Sequence, residues 1–195
     1  MTRDPDDPTT IDWTDRQRAA HIPFEVRNGR PVNPVQPELP AGRGVLWRWG
    51  ERANADTIVL IEVAGRRWVL MGERDDALGW AIPGGGLHPG ETAVDGGLRE
   101  LREETGLVLV AGEDPIEELP ARYCWDARNT REAWMVTTPL VIRLGRRSFF
   151  PVVQGDTDLR QCAWITADDL VSLEVDLSVR GGTLFESHRQ TLTEI

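Results

Sequence analysis

A glycine-rich loop followed by an acidic segment constrains the fold of this chain more than any other part of its sequence. The stretch reads GGGLHPGETAVDGGLRELREETGL over residues 84–107. Within residues 91–104, small and apolar positions recur at helical spacing, namely Ala93, Val94, Gly97, Leu98 and Leu101. Thr92 and Asp95 have the spacing of a capping pair, and Gly106 provides a stop. The pattern predicts a loop, a helix and a second loop in succession.

Three carboxylates lie on one face of the predicted helix, because Glu100, Glu103 and Glu104 follow the spacing at which helical side chains stack. Like charges so close together are unfavourable unless a cation shares them. Arg99 projects about 100° away around the helix, so we expect that it does not neutralise the three charges by itself. Hard divalent ions such as Mg²⁺ suit carboxylate oxygens, a backbone carbonyl and substrate phosphates. Glu91 opens the helix, where the dipole favours a carboxylate.

A solvated helix face is the competing interpretation of this acidic string, since such strings are frequent on protein surfaces. Two glycines inside the helix, Gly96 and Gly97, argue for a site. Each costs about 1 kcal/mol relative to alanine, so a generic surface helix would not favour them.

The charged composition limits the classes of partner. All 22 basic residues are arginines and there is no lysine, which excludes Schiff-base chemistry and a P-loop lysine. The net charge of −10 argues against sequence-independent binding to nucleic acid or an anionic membrane. A phosphorylated small molecule therefore needs metal ions as intermediaries. The composition leaves the oligomeric state open.

Other classes of site find no support in the sequence. Cys124 and Cys162 cannot form a disulfide framework, and the three scattered histidines form no zinc motif. Residues 1–15 are polar and lack an apolar signal segment, and no run reaches the ~18 apolar residues of a spanning helix. We expect a soluble cytoplasmic protein.

Residues 1–44 are rich in Pro, Asp, Arg and Gly and predict an irregular extension ahead of a domain at 45–195. In that domain, TIVLIEVAG and WVLMGE predict a hairpin with its turn at residues 65–67. Further strands are expected at WAIPGGG, AWMVTTPLVIRL and CAWI, and helical structure is expected beyond Gly182. Strands flanking two helices indicate a mixed α/β domain.

The spacing of the acidic stretch resembles a known family motif. Gly85, five residues, Glu91, seven residues and then RELREETGL match the Nudix box at every fixed position. The chain is identified as a member of the Nudix hydrolase superfamily by this resemblance. The resemblance implies the Nudix fold, an α/β/α sandwich with a mixed sheet, in which the box forms a cation-binding loop, helix and loop. It also implies hydrolysis of a nucleoside diphosphate linked to a further moiety.

Further segments are similar to one branch of that superfamily, the mitochondrial-type ADP-ribose pyrophosphatases and the ADP-ribose-sensing domain of a melastatin-type cation channel. They include NGRPVNP, WAIPGG, the run DARNT leading into AWM, and Ser187-His188. The chain departs from the pattern at Gly50-Glu51-Arg52-Ala53 and at Phe185, where the family has Gly-Pro-Asn-His and a tyrosine. The similarity implies hydrolysis of ADP-ribose to AMP and ribose 5-phosphate with Mg²⁺ or Mn²⁺. A sensor without turnover, or a hydrolase of NADH, dinucleoside polyphosphates or oxidised nucleotides, remains an alternative.

The resemblance also implies roles for the residues of the box. Glu100, Glu103 and Glu104 are expected to bind the metal, with the Gly84 carbonyl as a further ligand. Glu91 is expected to orient the site, and Arg99 to pair with a box glutamate and hold its carboxylate. The catalytic base is expected to be Glu103 or Glu104, with Asp156 as a candidate outside the box. An ordinary turn is the competing interpretation of Asp156 and Asp158.

Four residues outside the box are expected to contact a small nucleoside diphosphate sugar. Arg128 is expected to bind phosphate, and Asp126 to accept hydrogen bonds from ribose hydroxyls. Phe185 is expected to stack on adenine, and His188 occupies a nucleotide-contacting position in the family pattern. For Asp126 and Arg128, a surface ion pair is the alternative. Trp80 and Trp134 lie in strand-like runs and are expected to pack in the core.

Overall fold

The computed structural model describes residues 3–112, 114–156 and 159–194. Its helices are α1 (Trp13–Arg18), α2 (Ala93–Thr105), α3 (Leu170–Val179) and α4 (Arg189–Thr193). Its strands are β1 (Glu25–Arg27), β2 (Arg30–Val32), β3 (Gly50–Val63), β4 (Arg66–Arg74), β5 (Trp80–Ala81), β6 (Gly84–Gly86), β7 (Ile116–Glu118), β8 (Arg122–Tyr123), β9 (Ala133–Arg147) and β10 (Leu159–Thr166). Asp158 lies outside the described residues.

A mixed sheet forms the centre of the domain, as the sequence predicts. Its strand order is β10-β4-β3-β9-β7, with β5 beside β4, β6 beside β3 and β8 beside β9. The long strands β3 and β9 run parallel, whereas the neighbouring pairs are antiparallel. Because β3 also pairs with β4 and β6, it connects the parallel pair to the rest of the sheet. β1 and β2 form a separate antiparallel pair.

Helices cover both faces of this sheet, which confirms the α/β/α sandwich. In β3, Ile58 belongs to the buried cluster that contains Leu177 of α3. The next residue, Val59, belongs to the opposite cluster, which contains Leu101 of α2. Since successive side chains of a strand point to opposite faces, β3 is buried on both sides. Trp80 and Trp134 are also buried, in agreement with their expected packing role.

The hairpin and the box helix form where the sequence predicts them. The hairpin turn consists of Ala64 and Gly65, with φ values of 53° and 76°, and β4 begins at Arg66, so the turn starts one residue early. At α2, the Thr92 hydroxyl accepts a hydrogen bond from the backbone N–H of Asp95 at 3.1 Å. Gly106 ends the helix in the left-handed conformation with φ of 70°.

The N-terminal segment is more regular than its composition indicates. It contains α1, β1 and β2, and its aromatic residues are buried. Trp13 donates from Nε1 to the Gly29 carbonyl at 2.9 Å, and the Phe24 ring packs edge-to-face on Trp134 of β9 at 5.2 Å. The expected irregular extension is therefore corrected in residues 3–44, because widely spaced aromatic residues order it through tertiary contacts. The domain boundary at residue 45 stays a prediction.

The C-terminal helices differ from the sequence expectation in their position. α3 precedes Gly182 and ends at Val179, while the helical structure beyond Gly182 is limited to a 3₁₀ turn and α4. Asp169 caps α3 by accepting from the backbone N–H of Ser172 at 2.7 Å. None of the helices in the described ranges is long and apolar enough to cross a membrane.

Candidate active site

The three glycines of β6 lie between Glu100 of the acidic helix and Arg52 of β3. A Cβ on Gly85 would lie 2.7 Å from Cδ of Glu100 on α2. A Cβ on Gly86 would lie 2.8 Å from an Nη atom of Arg52, on the opposite side of the strand. Successive strand residues face alternate sides, so the absence of side chains lets both groups approach the same backbone.

Glu104 is tied directly to this glycine strand. Its Oε2 accepts a hydrogen bond from the Gly84 backbone N–H at 2.9 Å, and the residue is buried. Thr57 N–H donates to the Pro83 carbonyl, and Leu87 N–H donates to the Ala53 carbonyl. In an antiparallel pair only every second residue forms such bonds, so Pro83 and Leu87 face β3 with their backbone groups and Gly84 does not. Gly84 consequently turns its own N–H and carbonyl away from β3, toward the acidic helix.

Arg99 lies at the centre of the remaining box carboxylates. It binds Glu91 through two hydrogen bonds, Nε–Oε1 at 2.7 Å and Nη2–Oε2 at 2.9 Å. It also donates to Glu100 at 2.7 Å and to Glu103 at 3.2 Å. The hydrogen bonds from Arg99 to Glu91 lower the pKa of Glu91 to about 2. The long side chain thus folds back to two of the three acidic residues and does not contact Glu104, in line with the expectation that it pairs with a box glutamate without neutralising all three charges.

The site offers only oxygen atoms to a cation. Carboxylates and a backbone carbonyl are the donors that Mg²⁺ and Mn²⁺ take, and Glu100, Glu104 and Gly84 bring such atoms to the edge of β6. In the described part of the chain, however, no three His, Cys, Asp or Glu side chains are already grouped to hold an ion. Arg99 contacts one oxygen of each carboxylate of Glu100 and Glu103, which leaves the second oxygen of each for a cation.

A cleft of about 190 Å³ opens beside Gly84 and Glu104. All four substrate-contacting residues expected from the sequence line it: Asp126, Arg128, Phe185 and His188. The other expected site residues do not line it: Glu91, Arg99, Glu100, Glu103 and Asp156. The Asp156 backbone N–H donates to the Glu104 carbonyl at 3.0 Å, and its side chain is exposed.

Asp126 and Arg128 form a forked ion pair on the wall of the cleft. Nε and Nη2 of Arg128 donate to the two carboxylate oxygens of Asp126 at 2.9 and 2.8 Å. Burial opposes ionisation of Asp126, but the bonds from Arg128 outweigh it and hold the pKa of Asp126 below its usual value. Asp126 is only 8% exposed against 42% for Arg128, so the pair is anchored at its carboxylate end.

His188 is held in one protonation state by the backbone. Its Nδ1 accepts a hydrogen bond from the Ile82 N–H at 2.9 Å, so the ring proton lies on Nε2, which is 3.8 Å from a carboxylate oxygen of Asp56. Burial lowers the pKa of His188. The Phe185 ring packs edge-to-face on His188 at 5.1 Å, and the guanidinium of Arg74 lies 4.7 Å from the Phe185 ring centroid.

Four charged residues of the cleft were not singled out from the sequence: Arg52, Asp56, Arg74 and Asp75, which directly follows β4. They reach the cleft from β3 and β4, where strand pairing decides which positions meet. Asp56 belongs to the Ala-Asp pair that follows Arg-Trp-Gly in the family-like pattern, which is a signal that could have identified it. Arg52 stands in the tetrapeptide where the chain departs from the family.

The sequence of this chain is similar to those of known Nudix proteins. The model of the NUDIX domain matches residues 51–184. A putative nudix hydrolase 6 from Caenorhabditis elegans is 33% identical over 82% of this chain and 64% of its own length. The mitochondrial ADP-ribose pyrophosphatase of Rattus norvegicus is 32% identical over 77% of this chain and 52% of its own. A transient receptor potential channel, subfamily M member-like 2, from Nematostella vectensis is 30% identical over 88% of this chain and 12% of its own. The chain thus spans under two thirds of each of these relatives.

Solved structures support the fold. The NUDIX domain of Shewanella oneidensis NrtR, complexed with ADP ribose, superposes with a TM-score of 0.51 and 20% identity over 74% of this chain and 90% of that one. A bifunctional NMN adenylyltransferase/ADP ribose pyrophosphatase from Francisella tularensis, complexed with AMP and a Mn ion, gives a TM-score of 0.55 and 22% identity over 75% and 41%. With the box helix, the mixed sheet and the matched domain model, the chain belongs to the Nudix hydrolase family.

Proposed function

We propose that this Nudix hydrolase cleaves the diphosphate of ADP-ribose, giving AMP and ribose 5-phosphate in a metal-dependent reaction. The proposal depends on one observation: Asp126, Arg128, Phe185 and His188 line a single cleft with Glu104 and Gly84. The cleft therefore combines an aromatic ring, a phosphate-binding cation and a box carboxylate. The name of the rat relative, an ADP-ribose pyrophosphatase, supports the choice of substrate.

Glu100, Glu103, Glu104 and the Gly84 carbonyl would hold Mg²⁺ or Mn²⁺. The ion would neutralise charge on the phosphoryl oxygens and lower the pKa of a bound water. A Mn ion accompanies AMP in the structure of the Francisella enzyme, which supports this choice of cofactor.

Residues of this chain act as the base and hold the site in place during hydrolysis. Water attacks one phosphorus atom, the bond from that atom to the bridging oxygen breaks, and the water gives up a proton. Glu103 or Glu104 is the base: Glu104 lines the cleft but accepts from the Gly84 N–H, whereas Glu103 is 43% exposed but accepts from Arg99. Asp156 is the candidate outside the box. Glu91 and Arg99 act as positioning residues, since their paired hydrogen bonds keep the loop before α2 against the helix.

The cleft residues orient the nucleotide. Arg128 has its charge at the exposed end of the ion pair and binds phosphate, while Asp126 accepts hydrogen bonds from ribose hydroxyls. Phe185 stacks on adenine, and His188 offers its Nε2 proton at the base of the cleft beside Asp56.

Incubating the purified protein with ADP-ribose and Mg²⁺ tests the proposal, with AMP and ribose 5-phosphate separated by chromatography. A panel of NADH, dinucleoside polyphosphates and oxidised nucleotides runs in parallel. EDTA should abolish turnover, and Mg²⁺ or Mn²⁺ should restore it. Turnover of a panel member without any AMP from ADP-ribose would refute the substrate.

The double variant Glu103→Gln and Glu104→Gln should lose at least about 100-fold in kcat. Glu117→Gln with Glu118→Gln is the matched control, because it removes two adjacent carboxylates from the exposed strand β7. If the first double variant keeps the kcat of the control, the assignment of the box carboxylates is wrong.

A sensor that binds ADP-ribose without turnover is the second candidate. It is favoured by the contact of Arg99 with both Glu100 and Glu103, which competes with a cation, and by the similarity to a cation channel. Calorimetric binding of ADP-ribose without AMP release, in the presence of either metal, would establish it.

We also propose the cytoplasm as the location, which microscopy of the tagged protein tests.

A further inference from the structure

Arg52 occupies an unusual position beside the proposed diphosphate site. It lies on the cleft face of β3, and its guanidinium rests against the backbone of Gly86 in β6. The residue lines the cleft that contains Asp126 and Arg128. It also lines a neighbouring cavity formed with α1 and the loop before α2. The guanidinium therefore stands where the two openings meet.

The pairing of Arg52 differs from that of the other two arginines in the cleft. Arg128 is paired with Asp126 at 2.8 Å, and Arg74 is paired with Asp76. The Arg52 side chain forms no hydrogen bond or ion pair with any residue in the described ranges, and its Nε is buried without an acceptor. A buried donor on a charged group is costly when it lacks a partner. Arg52 is therefore a cation in the cleft whose buried Nε has no hydrogen-bond acceptor among the described residues.

The electrostatic surroundings of Arg52 favour an external anion. Burial lowers the pKa of Arg52, and the positive charge of Arg128 lowers it further. A guanidinium nevertheless stays protonated at neutral pH. Glu100 and Asp126 attract it from a distance, but neither reaches ion-pair contact. An anion bound between Arg52 and Arg128 would relieve both the repulsion and the missing hydrogen bonds.

We propose that Arg52 is a substrate-binding residue that donates hydrogen bonds to the diphosphate, from the opposite side of β6 to the acidic helix. This inference rests on the proposed function, because it takes a nucleoside diphosphate derivative as the ligand. Arg52 and the acidic residues of α2 would then hold the diphosphate across the glycine strand, where no side chain intervenes. Arg52 contributes to ground-state binding, so it affects KM more than kcat.

Steady-state kinetics of Arg52→Gln on ADP-ribose test this role. A charge-assisted hydrogen bond is worth about 1.5–3 kcal/mol, so KM should rise about 10- to 100-fold, while kcat stays within about threefold. Arg52→Lys should recover part of the loss because it keeps the charge. Arg66→Gln is the matched control, since Arg66 pairs with Asp168 away from the cleft. A KM for Arg52→Gln equal to that of the control would overturn the proposal.

Gly86→Ala provides a second variant that leaves Arg52 in the sequence. Its Cβ would meet the flexible end of Arg52 at 2.8 Å, so the guanidinium has to move away from β6. We expect KM to rise in the wild-type background but not further in the Arg52→Gln background. An unchanged KM for Gly86→Ala, or additive effects in the double variant, would count against a role of the Arg52 guanidinium in binding.

A binding experiment separates failure of this inference from failure of the proposed function. α,β-Methylene-ADP carries a diphosphate that cannot be hydrolysed at its bridge, and adenosine carries no phosphate. With Mg²⁺ present, Arg52→Gln should weaken calorimetric binding of the first at least about 10-fold and leave adenosine unchanged. Wild-type binding of the analogue without hydrolysis of ADP-ribose would refute only the substrate. Equal binding by both proteins, or none by the wild type, would refute the role of Arg52.

Discussion

Replacing Gly97 with alanine tests whether close packing of α2 on the sheet positions the acidic residues. A Cβ at this site would lie 2.5 Å from Cδ1 of Leu140, 3.0 Å from Cγ2 of Thr57 and 3.4 Å from Cβ of Ala55. Carbon atoms in contact are about 3.5–4.0 Å apart, so the shortest of these contacts is roughly 1 Å too close. All three neighbours have no exposed surface, and none can turn into solvent.

Two effects of the substitution oppose each other. Alanine is favoured over glycine inside a helix by about 1 kcal/mol. Overpacking a core costs about 1–3 kcal/mol, and a contact of 2.5 Å belongs at the upper end of that range. The free energy of unfolding should therefore fall by about 1–2 kcal/mol. A shift of α2 away from the sheet would carry Glu104 away from Gly84, and a displacement of about 1 Å can cost about 100-fold in rate.

Urea unfolding followed by circular dichroism, together with kcat on ADP-ribose, measures both consequences. Arg102→Ala is the matched control, because Arg102 lies on the exposed side of the same helix and should change stability by less than about 0.5 kcal/mol. A Gly97→Ala protein as stable as the wild type would refute the packing argument. Reduced stability with unchanged kcat would refute the link between packing and catalysis.

Three further predictions concern the rest of the molecule. Trp13→Ala should lower the free energy of unfolding by about 3 kcal/mol, and a loss below about 1 kcal/mol in urea would show that the N-terminal segment is not part of the cooperative core. Burial holds the pKa of His188 below its ordinary 6.5, so the unfolded chain binds the proton first and stability should fall as pH drops below that value. His188→Gln should remove this part of the dependence, and identical pH profiles would contradict it. Phe185→Ala should raise KM for ADP-ribose roughly 10-fold through lost stacking, whereas an unchanged KM would exclude adenine stacking on this ring.

Local patterns in the sequence predicted much of the fold. The β3–β4 hairpin and α2 carry their own periodicity, turn and caps within short stretches. α1, β1 and β2 have at most six residues each and depend on contacts with Trp134, which lies about 100 residues further along the chain. α1 is too short for a helical period to identify it, whereas Asn28-Gly29, with φ values of 53° and 73°, is a local hairpin signal between β1 and β2.

The acidic side of the candidate site was predicted more completely than the cleft side. Glu100, Glu103 and Glu104 share one helix, so their spacing alone brings them together. Arg52 and Arg74 lie on different strands and meet only through the pairing of β3 with β4 and the approach of the C-terminal segment. The reach of Arg99 also depends on side-chain conformation, which the direction of its Cα–Cβ bond does not determine.

The attachment of the N-terminal segment to β9 has a consequence for the order in which the protein assembles during synthesis. Trp13 and Phe24 leave the ribosome long before Trp134, against which Phe24 packs. Arg30 likewise forms its ion pair with Glu132, at 2.7 Å, only after Glu132 has been synthesised. Until β9 emerges, Phe24 lacks the ring on which it packs, so the N-terminal segment is among the last parts of the domain to reach its native place. Chaperones that recognise exposed aromatic residues would therefore have access to this segment until β9 is synthesised.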